Sequence, residues 1–317
     1  MSARDPQFVA DLARAVSGQI KSGAALARYS TYRIGGPATV FLPASAEDAA
    51  AGLRYAARAG IAVFPLGLGS NVLLPDDGLD ALVIRLGKGL DAVRSEGERW
   101  WLGAGLPAPL AARKTAEQGW AGLHVMVGVP GTVGGGVYMN AGCHGSEWSD
   151  VVRHVTVADG SGESRVLSAS EISFSYRRSG LDGHLVLEVE VALRAGGREE
   201  LDREVERLFA WRQQGAPFSQ PCCGSVFKNP PGPAPAEWTR PWTAGSLIEA
   251  SGLKGARAGG AQISPMHANY FVNTGEAAAE DVRTLIAQAR EAVRQRFGVV
   301  LQTEVKIIGP LGEYLDV

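Results

Sequence analysis

Between Gly128 and Gly142 the chain reads Gly-Val-Pro-Gly-Thr-Val-Gly-Gly-Gly-Val-Tyr-Met-Asn-Ala-Gly, and this density of glycine restricts the fold more than any other feature. Glycine loses the most backbone entropy on folding, so such a run inside an ordered domain is justified mainly where backbone must approach a ligand closely. No lysine follows the glycines, which excludes a GxxxxGK(S/T) phosphate loop, and no strand leads into a GxGxxG that opens a helix. The segment reads as a loop shaped around a ligand. A shorter example, Gly67-Leu-Gly-Ser-Asn71, joins two apolar runs at 62–66 and 81–86. Its alternating glycines let successive N–H groups converge on one point, while Ser70 and Asn71 add side-chain donors, which suits a pyrophosphate. Two such loops on separate lobes, each after a strand, suggest a long ligand lying between the lobes, as a dinucleotide would.

At 317 residues the chain exceeds the size at which a single core keeps growing, so more than one part is expected. A formal net charge of -2 with no block of like charge argues against a nucleic-acid partner held by phosphate neutralisation. No apolar run approaches membrane-spanning length and none stands behind a basic N-terminus, so the expectation is a cytoplasmic protein without a membrane partner. Nothing implies an obligate protein partner. Cys143, Cys222 and Cys223 are too few for a disulfide framework or a four-ligand zinc site and read as reduced thiols. The histidines at 124, 144, 154, 184 and 267 form no HxxxH or HxH pair, so no metal is expected.

An amphipathic helix is expected over 5–20 and a strand over 38–42, followed by a helix capped by Ser45 with Asp48 completing a capping box. After residue 88 come a strand at 100–102, a helix at 107–118, the glycine segment, and β-rich stretches at 152–159 and 184–194. A charged helix at 198–211 leads into a last region with a helix at 277–297 and a strand at 301–308. The division is therefore 1–88, 89–200 and 201–317. Gly224-Ser-Val-Phe-Lys-Asn-Pro230 reads as a strand with Ser225, Phe227 and Asn229 on one face and Lys228 on the other.

These segments, together with Phe174-Ser-Tyr-Arg177, Ala244 to Gly255, His267-Ala-Asn-Tyr-Phe-Val-Asn273 and Leu301-Gln-Thr-Glu-Val305, resemble in order and spacing the UDP-N-acetylenolpyruvoylglucosamine reductase family along nearly the whole chain. The resemblance implies an α+β fold: a two-lobed FAD-binding fold of the vanillyl-alcohol-oxidase type over 1–88 and 89–200, then an α/β substrate-binding domain over 201–317. It also implies FAD and NADPH as cofactors, and reduction of the enolpyruvyl ether of a UDP-sugar to a lactyl ether, giving UDP-N-acetylmuramate for peptidoglycan synthesis. By similarity, Arg177, Ser225 and Glu304 carry the chemistry. Gly67, Gly69, Ser70, Asn71, Gly128, Pro130, Gly131, Gly134, Gly135, Asn140 and Ala141 match FAD contacts. Tyr176, Arg212, Lys228, Asn229 and Gln262 match substrate contacts, with Lys254 and Glu249 as further candidates.

The residue types agree with that chemistry. Hydride delivered from N5 of reduced flavin to C3 of the enolpyruvyl group leaves negative charge at C2, delocalised into the carboxylate. Arg177 offers a planar, permanently charged donor fork for a carboxylate, and a well-placed donor of this kind is worth about 3 kcal/mol. Glu304 works with it, either as a protonated donor or by positioning the arginine, and the sequence leaves both open. Ser225 would give the proton to C2, which requires stabilisation of the alkoxide left behind.

The chain departs from the family pattern at Ala216, where a glutamine is usual, at Cys222-Cys223, where small residues are usual, and at Gln302, where an acid is usual. The short interval between Arg177 and Trp211 resembles the subgroup without a tyrosine-bearing substrate loop. Extra residues between Pro230 and Ala244 include Trp238 and Trp242, and the segment either partly replaces that loop, its indoles shielding the ligand, or is a proline-stiffened surface loop. Two other readings are a flavin oxidase of the same fold, with Cys143 or His144 placed for a covalent link, and a nucleotide-sugar-binding protein without turnover. The complete set Arg177, Ser225 and Glu304 favours the reductase.

Overall fold

A computed structural model describes residues 1–315, which fall into two compact units. The first unit comprises 1–24, 38–68 and 79–212; the second comprises 25–37, 69–78 and the chain from Gln213 onward. Each has its own hydrophobic core.

The first unit opens with helix α1 (Pro6–Ala15), which Asp5 caps at the Gln7 N–H and which buries Phe8 and Leu12. It stops well short of residue 20. The Asp48 carboxylate draws in the N–H groups of Ser17 and Gly18, at 2.7 and 2.8 Å, and the chain turns there into the strand Gln19–Ala25. Asp48 also accepts from the Ala44 N–H, so it is not left to close the expected capping box. Only the other half forms, with the Ser45 hydroxyl accepting the Asp48 N–H at the start of α2 (Ala46–Ala59). The strand Leu82–Arg85 lies between Pro37–Leu42 and Val63–Leu66 and is parallel to both.

A five-stranded antiparallel sheet follows in the same unit, in the order Ser164–Ser168, Val152–Ala158, Leu185–Ala192, Arg99–Gly103, Val93–Glu96. Helix α3 (Ala108–Glu117) buries a face of alanines and Thr115. The glycine segment, expected as loop throughout, contains a short helix, α4 (Val133–Tyr138), whose N-terminus Thr132 caps. Helix α5 (Arg198–Gly215) runs past the expected end at 211, and its apolar residues Leu201, Val205 and Leu208 keep helical spacing into the core.

In the second unit, helices α6 (Ala244–Ala250) and α7 (Ala279–Phe297) enclose a core with a small sheet of Arg257–Ala258, Ala261–Ile263 and Phe271–Asn273. The strand expected over 301–308 is regular only over Lys306–Ile308, where it runs parallel to Val72–Leu73. The residues before it turn aside to the Ser225 segment. That segment is extended but not a regular strand, since only Phe227 forms a bridge, to Thr303. Val226 and Phe227 are both buried, which breaks the expected alternation of faces.

Candidate active site

The start of the shorter glycine loop meets the longer glycine segment within the first unit. A Cβ on Gly67 would stand 2.7 Å from the Thr132 hydroxyl, so only glycine lets the strand end at Leu66 pass this close to the cap of α4. Gly69 has φ +65, and a Cβ there would lie 2.3 Å from the Tyr29 carbonyl oxygen, so both its conformation and its space exclude other residues. Among the described residues, the N–H groups of Gly67, Leu68 and Gly69 donate to no protein acceptor. These adjacent unpaired donors, two of them on glycines, are what an anionic pyrophosphate requires, so the residues present fit FAD.

The rest of the glycine segment divides its work. Gly134 presses on Ala104 and Gly136 on the Trp148 indole, where a Cβ would come within 2.4 Å of Nε1. Gly134, expected to face the cofactor, is thus buried in helix–sheet packing, while Gly135 is exposed. Gly128 lies under the aliphatic part of Arg212, and the Gly131 carbonyl accepts the Ala108 N–H. Ala141 turns back on the helix through its N–H to Gly136.

Asn140 is fully buried, and its amide is used at both ends. Its Nδ2 donates to the Ser175 carbonyl at 3.1 Å and its Oδ1 accepts the Ser149 N–H at 3.0 Å. Ser175 and Arg178 exchange both backbone hydrogen bonds, which makes Tyr176 and Arg177 the two central residues of a tight turn. Arg177 adopts φ +58, a left-handed conformation that costs a side-chain-bearing residue about 1–2 kcal/mol. Glycine or asparagine usually fills that position. The guanidinium donates from Nη2 to the Gly142 carbonyl at 3.1 Å and lies 4.8 Å from the centre of the half-exposed Tyr176 ring.

Ser225 and Glu304 belong to the second unit, on facing backbone segments. The Glu304 N–H donates to the Val226 carbonyl at 2.8 Å and the Lys228 N–H to the Gln302 carbonyl at 2.9 Å. Asn71, at the end of the shorter glycine loop, donates from its amide to the Glu304 carbonyl at 3.2 Å, and its own carbonyl accepts the Lys306 N–H. Its side chain therefore braces the Glu304 segment. Asn229 accepts the Ala244 N–H and closes the inserted loop onto the start of α6. Gln262 donates to the Gly255 carbonyl. Lys254 and Glu249 pair with each other at 3.1 Å.

Trp238 and Trp242 do not form an open ligand shield. They pack edge-to-face on each other, Trp238 also on Phe297, and both lie against the core of the second unit. Burying the rings there recovers more apolar area than a free lid would. Ala216 and Cys222 form a small buried cluster with Tyr270 and Val272. Burial pushes the Cys223 thiol up, and its Sγ lies 3.0 Å from the Val72 carbonyl oxygen, so it serves as an inert filler. His144 packs on Trp211 at 4.8 Å, and burial lowers its pKa. Sequence reasoning missed Thr132 and Asn269. Both lie in motifs it had singled out: Thr132 caps the short helix hidden in the glycine segment, and Asn269 bonds backbone some forty positions away.

Among the described residues no helix is long and apolar enough to cross a membrane and no His, Cys, Asp and Glu cluster is suited to a metal. Residues 37–168 match the family model for an FAD binding domain and residues 216–308 the one for the UDP-N-acetylenolpyruvoylglucosamine reductase C-terminal domain. A UDP-N-acetylenolpyruvoylglucosamine reductase of Halalkalibacterium halodurans is 39% identical over 307 residues, covering 96% of this chain and 99% of the relative. One of Rubrobacter xylanophilus is 41% identical over 294 residues, covering 90% and 93%. The crystal structure of UDP-N-acetylenolpyruvylglucosamine reductase from Thermus caldophilus superposes with a TM-score of 0.77 at 32% identity, covering 92% of this chain and 99% of that one. The α+β class and the FAD-binding fold implied by the resemblance are borne out.

Proposed function

The chain belongs to the UDP-N-acetylenolpyruvoylglucosamine reductase family, and from that membership we propose that it reduces the enolpyruvyl ether of UDP-N-acetylglucosamine to UDP-N-acetylmuramate, in the cytoplasm, for peptidoglycan synthesis. Bound FAD, reduced by NADPH, supplies the hydride. Arg177 holds the substrate carboxylate through its donor fork and stabilises the charge that develops on it. Ser225 gives its hydroxyl proton to C2. Glu304 assists, as a protonated donor or by orienting Arg177. Tyr176, Arg212, Lys228, Asn229 and Gln262 are assigned to the nucleotide sugar. The two sheets of the first unit support two lobes holding the cofactor within 1–88 and 89–200, with the substrate part in the remaining chain; 25–37 and 69–78 group with the second unit, which resumes at Gln213.

The observation that carries this reading is the backbone ladder that sets the Ser225 and Glu304 segments side by side, with the Glu304 N–H on the Val226 carbonyl. The test is anaerobic: purified protein is mixed with NADPH while flavin absorbance is followed, and UDP-N-acetylglucosamine enolpyruvate is then added. Bleaching followed by stoichiometric reoxidation is expected. Bleaching reversed only by oxygen would indicate an oxidase, and no flavin signal a binding protein.

A further inference from the structure

The motif His267-Ala-Asn-Tyr-Phe-Val-Asn273 has no part in the chemistry above, yet Asn269 is 3% exposed and makes three hydrogen bonds to the segment that carries Ser225. Its Oδ1 accepts the Phe227 N–H at 2.9 Å, its Nδ2 donates to the Phe227 carbonyl at 2.8 Å, and its own carbonyl accepts the Val226 N–H at 2.8 Å. A side-chain amide is here paired with both polar groups of one residue, as a neighbouring strand would be. On the opposite side the same segment meets the Glu304 stretch, with the Val226 carbonyl accepting the Glu304 N–H and the Lys228 N–H donating to the Gln302 carbonyl. Both polar groups of Val226 and of Phe227 are thus taken or flanked by partners that admit one register. Slipping by one residue would move Phe227, which is 1% exposed, from its edge-to-face place against Phe271.

We propose that Asn269 is a positioning residue for the reduction step: by clamping the Phe227 backbone it sets the Ser225 hydroxyl opposite the Glu304 segment. The assignment rests on the reading of Ser225 as proton donor. It calls for an amide in particular. Aspartate accepts from the Phe227 N–H but repels the Phe227 carbonyl, and alanine or serine leaves both groups without that partner. The loss should fall on the step that needs Ser225 and not on flavin reduction.

The test uses the flavin-loaded full-length enzyme in Asn269→Ala, Asn269→Ser and Asn269→Asp forms, each with and without Ser225→Ala, and measures the two half-reactions separately by anaerobic mixing. Substrate-driven reoxidation is expected to fall by roughly 10- to 100-fold in the single Asn269 variants, as for an angstrom-scale misplacement of a reacting group. Bleaching by NADPH should stay within about threefold, and adding an Asn269 change to Ser225→Ala should cost little more than Ser225→Ala alone. Losses that multiply in the double variants, with Ser225→Ala selectively slow in reoxidation, would overturn the clamp while leaving the Ser225 reading intact. Equal slowing of both half-reactions by Ser225→Ala would overturn that reading and the clamp with it. Failure of all three Asn269 forms to hold flavin would assign the residue to folding and overturn its positioning role.

Discussion

Arg177 and Ser225 are held in opposite ways. Arg177 sits on a two-residue turn in a left-handed conformation, fastened from outside by the buried amide of Asn140 and by its own bond to the Gly142 carbonyl. Ser225 sits on extended backbone paired on both sides, by Asn269 and by the Glu304 segment. A turn lets a long guanidinium be aimed while its backbone conformation is strained, and the strain persists because the surroundings over-determine it. A short hydroxyl has no such reach, so its backbone must itself be exact in register. The difference teaches that the length of a reacting side chain decides how stiffly its main chain is held.

The largest effect should come from the arginine. Arg177→Ala is expected to slow substrate-driven reoxidation by about 100- to 1000-fold, as for loss of one preorganised donor. Arg177→Lys should recover little of it, because an ammonium has no bidentate fork. A lysine variant near the parent rate would show that charge alone suffices and dissolve the contrast with Ser225. Asn140→Ala leaves the Ser149 N–H and the Ser175 carbonyl without their partner, for a stability loss of about 1–3 kcal/mol by denaturant unfolding. It should also raise the Michaelis constant for the nucleotide sugar, and an unchanged Michaelis constant would separate the turn from substrate binding.

A pair of glycine variants sharpens the contrast between packing and ligand roles. Gly136→Ala meets the Trp148 indole and should destabilise by about 1–3 kcal/mol with flavin retained, as overpacking does. Gly67→Ala meets only the Thr132 side chain and should lose flavin at a smaller cost in melting temperature. The same outcome for both would erase the distinction. The smallest effect concerns Glu190, whose pKa is lowered by the hydrogen bond from Arg99 at 2.8 Å and further by His154. A depressed carboxylate pKa stabilises the fold above the ordinary carboxylate range, and this is lost as pH falls through the folded value. Glu190→Gln should therefore melt about 1–2 °C lower near neutral pH, with the gap closing below about pH 4. A gap that persisted in acid would assign the loss to something other than the charge.

The resemblance carried by the order of the motifs identified the family and implied the FAD-binding fold, and most helices were legible because capping residues and apolar periodicity act over a few neighbouring positions. Ser45 as a cap and the strand over 38–42 were legible for that reason. The end of α1 was not, since Asp48, about thirty positions away, draws in its Ser17 and Gly18 N–H groups. Nor could the sequence tell what each glycine packs against: Gly67 and Gly136 look alike until Thr132 and Trp148 are in place. The same holds for the asparagines. Asn140, Asn71 and Asn269 each have an amide that satisfies backbone far along the chain, and Trp238 and Trp242 find one another and Phe297 in the core. By itself the sequence determined which groups are available for the chemistry. Tertiary structure alone decided which of them are consumed in holding the others, because a hydrogen bond or a close contact depends on distance in space and carries no trace in local residue order.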